Sequence, residues 1–370
     1  MKKHILFVHS SAELYGSDRS LLNIVSNINR DKFEVSIILP CNGPLLDELK
    51  KLNINVIFFD FAILRRKNLS FIGMVHYAFS FIKSLFFFMK FIKDNKVDVV
   101  YINTSVVFPP ALAGKILHKK IIWHVREIVP NNTENFVISW IIDHFSDEIV
   151  VNSISTGDSL NLKYKNYNIV YNAVEQNSLE RIKDKSNKNV VLGMAGRINR
   201  WKGQKLFVDI AAKVSQTHPN VEFKIAGSAY EGEKFLEDDL KKYISDLKLQ
   251  DRVQLIGQVN DMDKFYSEID IFILPSIQPE PFGLVAIEAM DAKIPVIATN
   301  HGGPREIITN SVDGFLVNPD DIQRFVDICS ELIDNKELRE EIGENGYLTK
   351  ISRFSISTMI NNIEKILERV

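Results

Sequence analysis

Short apolar runs alternate with helical stretches along the whole chain. Runs of this kind that are rich in β-branched and aromatic side chains predict β-strands. In the first half these runs are His4–Val8, Phe33–Leu39, Val56–Phe59, Asp98–Ile102, Ile121–His124 and Glu148–Val151. In the second half they are Val190–Met194, Glu222–Ala226, Val253–Ile256, Ile271–Leu274, Val296–Ala298 and Gly314–Val317. Apolar strands separated by helices are typical of parallel sheets that carry helices on both faces, so the pattern predicts an α/β protein.

A polar stretch rich in lysine and asparagine, Asn172–Asn189, separates the two series of strands and is interpreted as a linker. A chain of 370 residues is long enough for two domains of ordinary size. We therefore expect two Rossmann-like, doubly wound domains, 1–172 and 173–350, which face each other across a cleft. A C-terminal helix at 351–370 is expected to pack back toward the first domain.

The composition excludes some partners. A formal charge of −2 and a pI near 6.5 give no general attraction for polyanions, so nucleic acid is not expected as a partner. Cys41 and Cys329 lie far apart in sequence, and two cysteines cannot form a disulfide framework or a four-ligand metal site. The N-terminal Met1-Lys2-Lys3 resembles the start of a signal peptide. Polar residues soon interrupt the apolar run that follows, which favours a first β-strand in a cytoplasmic protein.

The segment Phe71–Ile92 has about the length of a membrane-spanning helix. Polar residues interrupt it at His76, Ser80, Lys83 and Lys90, at steps that place them along one stripe of a helix. This spacing predicts an amphipathic helix whose lysines lie opposite an aromatic face. That face comprises Phe79, Phe81, Phe86, Phe87, Phe88 and Phe91.

Two interpretations of this helix stay open. Together with the preceding Arg65-Arg66-Lys67, the region 65–93 has the character of an element at an anionic membrane surface. The alternative is a helix packed between the sheet and its neighbours, which would bury most of the phenylalanines. One helix rarely buries so many large side chains, so a partly exposed face is expected.

Candidate chemistry lies at the junction between the strand Ile271–Leu274 and the helix predicted after Gly283. Glu280 falls in the connecting loop at the carboxyl end of the strand, and Glu288 falls about one turn into the helix. A carboxylate near a helix start can accept hydrogen bonds from ribose hydroxyls, and the amides of Phe282–Leu284 would face a phosphate or a polar sugar. An isolated pair of glutamates is more often a pair of surface residues, so the surrounding pattern decides the interpretation.

A second candidate follows the strand Val190–Met194, where Gly196-Arg197 and Trp201-Lys202-Gly203 precede the next helix. The planar fork of an arginine and the compact charge of a lysine suit the oxygens of a diphosphate whose negative charge grows as it leaves. Taken alone, the two cations would favour a solvated basic turn. Their combination with Glu280 and Glu288 favours a leaving-group site instead.

In this order and context the motifs resemble the retaining glycosyltransferases of family 4, which have the GT-B fold. The resemblance is strongest over 190–319 and weaker in the first half. Its motifs are Gly196-Arg197 with Lys202-Gly203, Ile225-Ala226-Gly227, Ile256-Gly257, Glu280 with Glu288, and Gly302-Gly303 with Glu306. The resemblance implies a first domain that binds the acceptor and a second domain that binds a nucleotide-sugar donor.

The resemblance also implies roles for single residues. Arg197 and Lys202 would bind the donor diphosphate and assist its departure, and Glu288 would bind the ribose hydroxyls. Glu280 would contact the donor sugar at the reacting centre. The other donor contacts would come from Phe282, Gly283 and Leu284 and, for the base, from Gly257 and Val259.

In the first half, Gly16-Ser17 follows the first strand and begins a helix, where main-chain amides can approach a phosphate of the donor. The family usually has Gly-Gly-Ala-Glu here, whereas this chain has Tyr15-Gly16-Ser17-Asp18-Arg19. His124 ends a strand at which the family often has a histidine that points at the donor sugar, and a core histidine is the equally weighted alternative. Arg126-Glu127 replaces the aspartate that usually follows this histidine.

The resemblance implies transfer of a hexosyl or deoxyhexosyl group with retention of the anomeric configuration. The acceptor would be a glycan or a lipid-linked molecule in the assembly of bacterial surface polysaccharide or glycoconjugate. No metal cofactor is expected, because no Asp-x-Asp follows a strand in a suitable context. The expected location is the cytoplasm, peripherally at the inner face of the cell membrane.

Two classes of alternative stay open. One is another enzyme with the same two domains, either a nucleotide-sugar epimerase or a glycogen-type phosphorylase or synthase. The other is a non-catalytic protein that binds sugar nucleotides. Release of a nucleoside diphosphate from a donor would distinguish a transferase from both an epimerase and a silent binder.

Overall fold

The computed structural model of the chain describes residues 2–65, 68, 70–129, 133–175, 189–259 and 261–370. The chain divides into two compact units. Unit 1 consists of Met1–Ala173 together with Ile356–Val370, and unit 2 consists of Val174–Ser355. Most of the predicted linker, 176–188, lies outside the described residues, as do Arg66 and Lys67.

Unit 1 is built on one seven-stranded parallel sheet with the strand order β3-β2-β1-β4-β5-β6-β7. The strands are β1 (Lys3–Val8), β2 (Phe33–Leu39), β3 (Asn55–Phe58), β4 (Val99–Ile102), β5 (Lys120–Val125), β6 (Glu148–Val151) and β7 (Asn168–Ile169). The helices between them are α1 (Gly16–Asn27), α2 (Pro44–Lys51), α3 (Phe71–Asp94), α4 (Pro109–Ile116), α5 (Thr133–Phe145) and α6 (Ile154–Ser159).

Unit 2 repeats this architecture on a six-stranded parallel sheet with the order β10-β9-β8-β11-β12-β13. The strands are β8 (Val191–Ala195), β9 (Glu222–Ala226), β10 (Val253–Gly257), β11 (Ile271–Leu274), β12 (Val296–Thr299) and β13 (Phe315–Val317). The helices are α7 (Gln204–Thr217), α8 (Phe235–Asp246), α9 (Met262–Ser267), α10 (Leu284–Asp291), α11 (Pro304–Ile307), α12 (Ile322–Asp334) and α13 (Lys336–Arg353).

The predicted α/β class with doubly wound sheets is confirmed. Every strand predicted from the apolar runs corresponds to an observed strand, and the ends differ by no more than one residue. The strand that the sequence missed is β7, because a strand of two residues has too little apolar pattern to be recognised. It pairs with β6 through Asn168 and Ile169 at the edge of the first sheet.

The sheet of unit 1 carries helices on both faces. The last helix of the chain, α14 (Ile356–Arg369), packs beside α1, and its buried Ile360, Ile363 and Leu367 join a core that contains Ile5 and Phe7. The opposite face is covered by α3, α4 and α5 over a second core. The C-terminal helix is therefore part of unit 1, although unit 2 separates it in sequence from the rest of that unit.

Several helices begin where the sequence provides a side-chain cap. Ser153 accepts a hydrogen bond from the amide of Thr156 at α6, and Asp321 does the same for Arg324 at α12. Such caps satisfy amides of the first turn that have no partner within the helix. The capped helices fix the positions of the loops that precede them, and these loops lie at the carboxyl ends of the strands.

Each sheet changes winding direction at one place. In unit 1, β1 lies between β2 and β4, and in unit 2, β8 lies between β9 and β11. The loops that leave two neighbouring strands at such a point run to opposite faces of the sheet and open a crevice at the carboxyl edge. The candidate residues after β8 and β11 lie on the two sides of this point in unit 2.

The helix α3 differs from the sequence prediction. Lys83 and Lys90 are exposed together with Phe79 and Phe86, so the prediction that the lysines lie opposite the aromatic face is wrong. Only Ser84, Phe88 and Ile92 are buried among the described residues of this helix. The packed interpretation holds for four of the six phenylalanines, since Phe88 is in the core and Phe81, Phe87 and Phe91 pack against it. Phe79 and Phe86 form the partly exposed face that was expected.

Candidate functional site

The strongest polar contact at the carboxyl edge of unit 2 joins Lys202 to Glu280. The Nζ atom of Lys202 lies 2.7 Å from Oε1 and 2.9 Å from Oε2 of Glu280. Glu280 is buried, with 6% of its surface exposed, and Ser276 donates a further hydrogen bond to its Oε1. A carboxylate that is removed from water needs such partners, because an unpaired buried charge is strongly disfavoured.

Main-chain contacts hold this pair in place. The amide of Gly303 donates to the carbonyl of Glu280 at 2.8 Å, and the amide of Ile277 donates to the carbonyl of Trp201 at 2.8 Å. Gly203 adopts a left-handed conformation with φ of 78°, and a Cβ atom there would collide with the carbonyl of Pro275. The glycine is thus required for the close approach of the loops after β8 and β11.

Arg197 lies in the loop after β8 that also contains Lys202. Its guanidinium stacks on the ring of Tyr230 at 3.3 Å from the centroid, and its side chain is largely buried. Gln204, the first residue of α7, donates from Nε2 to the carbonyl of Arg197 at 3.0 Å. Stacking on an aromatic ring orients the planar fork of an arginine without occupying all of its donors.

Glu288 lies in the second turn of α10 and is half-buried. Its Oε2 accepts a hydrogen bond from the hydroxyl of Tyr266 at 2.8 Å. Gly283 caps the helix in a left-handed conformation with φ of 103°, and Leu284 is the first helical residue. The side chain of Phe282 is buried against Phe354, so a donor contact by Phe282 would use its main chain.

Gly257 ends the edge strand β10 and Val259 lies just after it, and both are half-buried. Gly257 has a φ of 74°, and its carbonyl accepts from the amide of Gly227 at 2.7 Å. The strand β9 separates β10 from β8. These two residues are therefore at the same carboxyl edge as Arg197 but farther along the sheet.

In unit 1, Gly16 is the exposed first residue of α1. The helix start is held by Asp18, which accepts from the amide of Tyr15 at 3.0 Å and contacts Nε2 of His9 at 2.8 Å. His9 and Asp18 are almost completely buried. Asp18, one of the residues that depart from the family pattern, thus forms a buried pair with His9, the first residue after β1.

His124 is buried on β5, and its ring has a defined protonation state. Nδ1 lies 2.5 Å from the hydroxyl of Tyr101 and 3.3 Å from a guanidinium nitrogen of Arg126. A guanidinium can only donate, so Nδ1 is the acceptor and the proton of the neutral ring is on Nε2. Burial, and after it the charge of Arg126, lowers the pKa of His124 well below its ordinary value, which keeps the ring neutral.

The Nε2 atom of His124 is buried and has no hydrogen-bond partner among the residues that the structure describes. Burying a donor without an acceptor costs free energy comparable to a lost hydrogen bond. A buried N–H group without a partner is thus a candidate contact for a ligand hydroxyl. Burial of His124 also agrees with the core histidine interpretation, but a satisfied core histidine would have partners on both nitrogens.

Arg126 is the centre of the polar network in unit 1. Its guanidinium donates to Asn103 Oδ1 at 2.6 Å, to Ser20 Oγ at 2.7 Å and to Asn172 Oδ1 at 2.8 Å. These acceptors are all neutral, and burial lowers the pKa of Arg126 to about 10. Within the described parts of the chain, no carboxylate forms a direct ion pair with it.

Sequence reasoning missed several members of these two clusters. Ser276, Tyr230 and Tyr266 contact the predicted residues of unit 2 but belong to no recognised spacing. Ser20, Tyr101, Asn103 and Asn172 are brought to Arg126 from separate strands and loops. The useful signal was the position of Asn103 directly after the apolar strand β4, since polar residues there reach the carboxyl edge of the sheet. Across the described residues, no group of three His, Cys, Asp or Glu is placed to hold a metal ion.

Comparisons with known proteins agree with this geometry. Residues 175–349 match the family model described as glycosyl transferases group 1. The chain is 26% identical to an uncharacterized glycosyltransferase of Haemophilus influenzae, over 100% of this chain and 98% of that protein. It is 25% identical to the UDP-Gal:alpha-D-GlcNAc-diphosphoundecaprenol alpha-1,3-galactosyltransferase of Escherichia coli, over 88% of this chain and 86% of that protein.

Among solved structures, Anabaena Alr3699/HepE in complex with UDP and glucose superposes with a TM-score of 0.85. The superposition covers 99% of each chain at 24% sequence identity, a likeness that shows the fold. Both units thus have the architecture of GT-B glycosyltransferases, and the predicted family resemblance is confirmed at the level of the group. Residues 175–349 of this chain thus match the family of glycosyl transferases group 1.

Proposed function

We propose that this glycosyltransferase transfers a hexosyl or deoxyhexosyl group from a nucleotide-diphosphate sugar, with retention of the anomeric configuration and without a metal cofactor. The observation that carries the proposal is the contact of Lys202 with buried Glu280 at the winding change of unit 2. A cation and a carboxylate that are fixed side by side suit a substrate with an anionic diphosphate and a hydroxylated sugar.

In this proposal, Lys202 and Arg197 bind the diphosphate. As the bond between the anomeric carbon and the diphosphate oxygen breaks, its electron pair stays with the oxygen and negative charge grows there. Both cations are already held in place, Lys202 by Glu280 and Arg197 by Tyr230. Charges that are oriented before the reaction stabilise the transition state without further reorganisation.

The two glutamates take different roles. Glu280 accepts a hydrogen bond from a hydroxyl of the donor sugar while it keeps Lys202 in position, and Glu288 accepts hydrogen bonds from the ribose hydroxyls. The position of Glu288 on α10 and its contact with Tyr266 support this role, because the hydroxyl of Tyr266 fixes one carboxylate oxygen and leaves the carboxylate half-exposed. Gly257, Val259 and the main chain of 282–284 provide the remaining donor contacts.

In unit 1, the Nε2–H group of His124 donates a hydrogen bond to a hydroxyl of the substrate. The buried Nε2 without a described partner supports this role. Gly16 contributes a main-chain amide at the start of α1, where amides without helical partners favour negative charge.

We infer that the donor carries UDP. The Anabaena protein was solved with UDP and glucose, and the name of the Escherichia coli relative specifies UDP-Gal. The same relative acts on a sugar attached to diphosphoundecaprenol, which supports a lipid-linked acceptor in bacterial polysaccharide assembly. We place the protein in the cytoplasm at the inner face of the cell membrane, where such an acceptor is available.

Release of nucleoside diphosphate from a panel of UDP-, GDP-, ADP- and dTDP-sugars tests the proposal. We expect UDP release in the presence of a metal chelator, and we expect Lys202→Ala to lose it while Lys213→Ala, an exposed lysine of α7, retains it. A free sugar-nucleotide epimer without UDP release would contradict transfer. Nuclear magnetic resonance of the product with a soluble acceptor reports the anomeric configuration, and an inverted product would disprove retention.

A further inference from the structure

One side of unit 1 exposes a large apolar surface. We define the apolar face as the exposed apolar side chains of α3 and α5. They are Phe71, Ile72, Met74, Val75, Phe79, Ile82 and Phe86 on α3, and Phe136, Val137 and Trp140 on α5. Phe71, Phe79 and Phe86 are 85%, 71% and 66% exposed. Isolated exposed apolar residues are ordinary, but a patch of this composition marks a surface that is covered in the working protein.

The two helices contribute to one layer. α3, α4 and α5 pack on the same face of the sheet, with Phe88, Ala111 and Ile142 in one core. α4 contacts both α3 and α5 and lies between them. α4 is short and exposes Ile116 at its end, so it does not cover the outer sides of α3 and α5. The exposed apolar side chains of these two helices therefore lie on the outside of the layer that the three helices share.

α3 is long and apolar enough to cross a membrane, but its connections rule out a crossing. It spans 24 residues, and only 11% of its most apolar window is buried. It joins β3 to β4 within one parallel sheet, and its C-terminal half is anchored there by Ser84, Phe88 and Ile92. A helix whose two ends return to the same sheet can lie along a bilayer surface but cannot span the bilayer.

The charged side chains of α3 between Phe71 and Lys93 are of one sign. α3 has no acidic residue before Asp94, and His76, Lys83, Lys90 and Lys93 are exposed on it. Helical geometry places Lys90 and Lys93 on the same side as Phe79 and Phe86. A helix that exposes apolar side chains together with cations matches an anionic lipid leaflet.

The exposed side of α5 also combines aromatic side chains with a neighbouring cation. The Nζ atom of Lys163 lies 5.5 Å from the ring centroid of Phe136. The ring of His144 lies 4.3 Å from that of Trp140 and 4.9 Å from that of Tyr164. Aromatic rings with a polar edge and neighbouring cations are preferred at the headgroup level of a bilayer.

We propose that the apolar face docks on an anionic lipid leaflet, with α3 lying in the plane of the interface. The proposal rests on the membrane location proposed above and identifies the surface that would bind the membrane. The leaflet fits better than a second copy of the chain. A symmetric contact through this face would bring the lysines of one copy toward those of the other, with no acidic residue on 71–93 to oppose them.

Flotation of the purified full-length protein with vesicles tests the proposal. One set of vesicles contains equal parts of phosphatidylglycerol and phosphatidylcholine, and the other contains phosphatidylcholine alone. The test variant is Phe71→Ser/Phe79→Ser/Phe86→Ser, and the matched control is Leu348→Ser/Ile351→Ser, which removes exposed apolar residues from α13. All the replaced side chains are exposed, so the folded state should be retained, and thermal unfolding verifies this.

We expect the wild type and the control to float with the anionic vesicles, and the triple variant to lose at least about tenfold in partitioning, because three large apolar side chains no longer enter the interface. Lys90→Glu/Lys93→Glu should reduce binding to anionic vesicles and leave binding to phosphatidylcholine unchanged. A wild type that stays in solution, or a triple variant that floats like the wild type, would overturn the proposal.

Two further measurements separate the alternatives. Light scattering without lipid determines the oligomeric state, and a dimeric wild type with a monomeric triple variant would assign the apolar face to self-association. UDP release by the same preparations reports the transferase independently. A wild type that stays in solution but releases UDP would refute the docking face alone, whereas a wild type that floats but releases no UDP would refute the proposed reaction alone.

Discussion

The two units place polar groups at equivalent edges of equivalent sheets, but they balance charge differently. In unit 2, Lys202 is in direct contact with the carboxylate of Glu280. In unit 1, Arg126 is deeply buried and is held by the neutral oxygens of Asn103, Ser20 and Asn172. One cation is balanced by an ion pair, and the other is balanced only by hydrogen bonds and more distant charges.

This difference separates two kinds of chemistry. A lysine that is paired with a carboxylate can also bind an incoming diphosphate, since its ammonium group has three N–H donors. An arginine whose donors are directed at fixed neutral acceptors serves to orient its neighbours. Arg126 fixes the tautomer of His124, because its guanidinium can only donate to Nδ1. Unit 2 is thus suited to a departing anion, and unit 1 to a neutral hydroxyl.

The largest effect is expected from the ion pair of unit 2. Lys202→Ala should lower the turnover number by about 10² to 10³, or about 3–4 kcal/mol in the activation free energy, because a preorganised charge is removed from the leaving group. It should also lower stability, since it leaves the buried carboxylate of Glu280 without its cation. Steady-state kinetics and urea unfolding measure the two effects.

A double-mutant cycle sharpens this prediction. Lys202→Ala/Glu280→Gln should unfold at a higher urea concentration than Lys202→Ala alone, because the amide needs no counter-ion. Lys213→Ala, at an exposed position of the helix α7 that follows Lys202, serves as the control and should change neither quantity. Additive stability effects of the two substitutions would show that the ion pair makes no specific contribution.

The fold was predictable because strands buried on both faces have continuous apolar sequences. β2, β6, β9 and β11 begin and end at the predicted residues for this reason. The exposure of α3 was not predictable from periodicity, because apolar residues surround most of this helix and its sequence does not show which side meets the sheet. The position of the sheet, fixed by β3 and β4, determines that side.

The site in unit 2 was predictable because its residues occur in short motifs around two strand ends. The network in unit 1 was not, since Ser20 and Asn172 are separated by 152 residues and meet only after the sheet has formed. The sequence also led to the expectation that Lys202 and Glu280 serve different parts of the donor. It did not show that they contact each other, because the contact depends on the register of β8 against β11.

The next largest effect is expected in unit 1, from Arg126→Lys. An ammonium cannot reproduce the fork that reaches three acceptor oxygens, so the free energy of unfolding should fall by about 2–3 kcal/mol. The matched control is Arg30→Lys, where the half-buried guanidinium donates to the carbonyl of Val25, and it should cost less than about 1 kcal/mol. Equal losses in urea unfolding would show that Arg126 is an ordinary structural arginine.

A smaller effect is expected at the ribose end of the unit 2 site. Tyr266→Phe removes the hydroxyl that holds Oε2 of Glu288, so KM for the donor should rise about fivefold, or about 1 kcal/mol, with an unchanged kcat. Tyr243→Phe is the control, since that hydroxyl bonds to Asp209 instead. A lower kcat at constant KM would place Glu288 at the reacting centre and would end the distinction between the two glutamates.

The smallest effect concerns the pH dependence of unit 1. The folded protein holds the pKa of His124 well below the ordinary 6.5, mainly through burial, so near pH 6 the unfolded chain binds more protons than the folded chain. Stability should therefore decrease as the pH falls through 6.5, and one such group contributes about 0.7 kcal/mol between pH 7 and pH 6. Urea unfolding at several pH values should show this loss of stability for the wild type and not for His124→Asn. The difference in pH dependence between the two proteins should vanish above neutral pH. A difference that is constant from pH 8 to pH 6 would mean that His124 is not held neutral, and Arg126 would then have no role in setting its state.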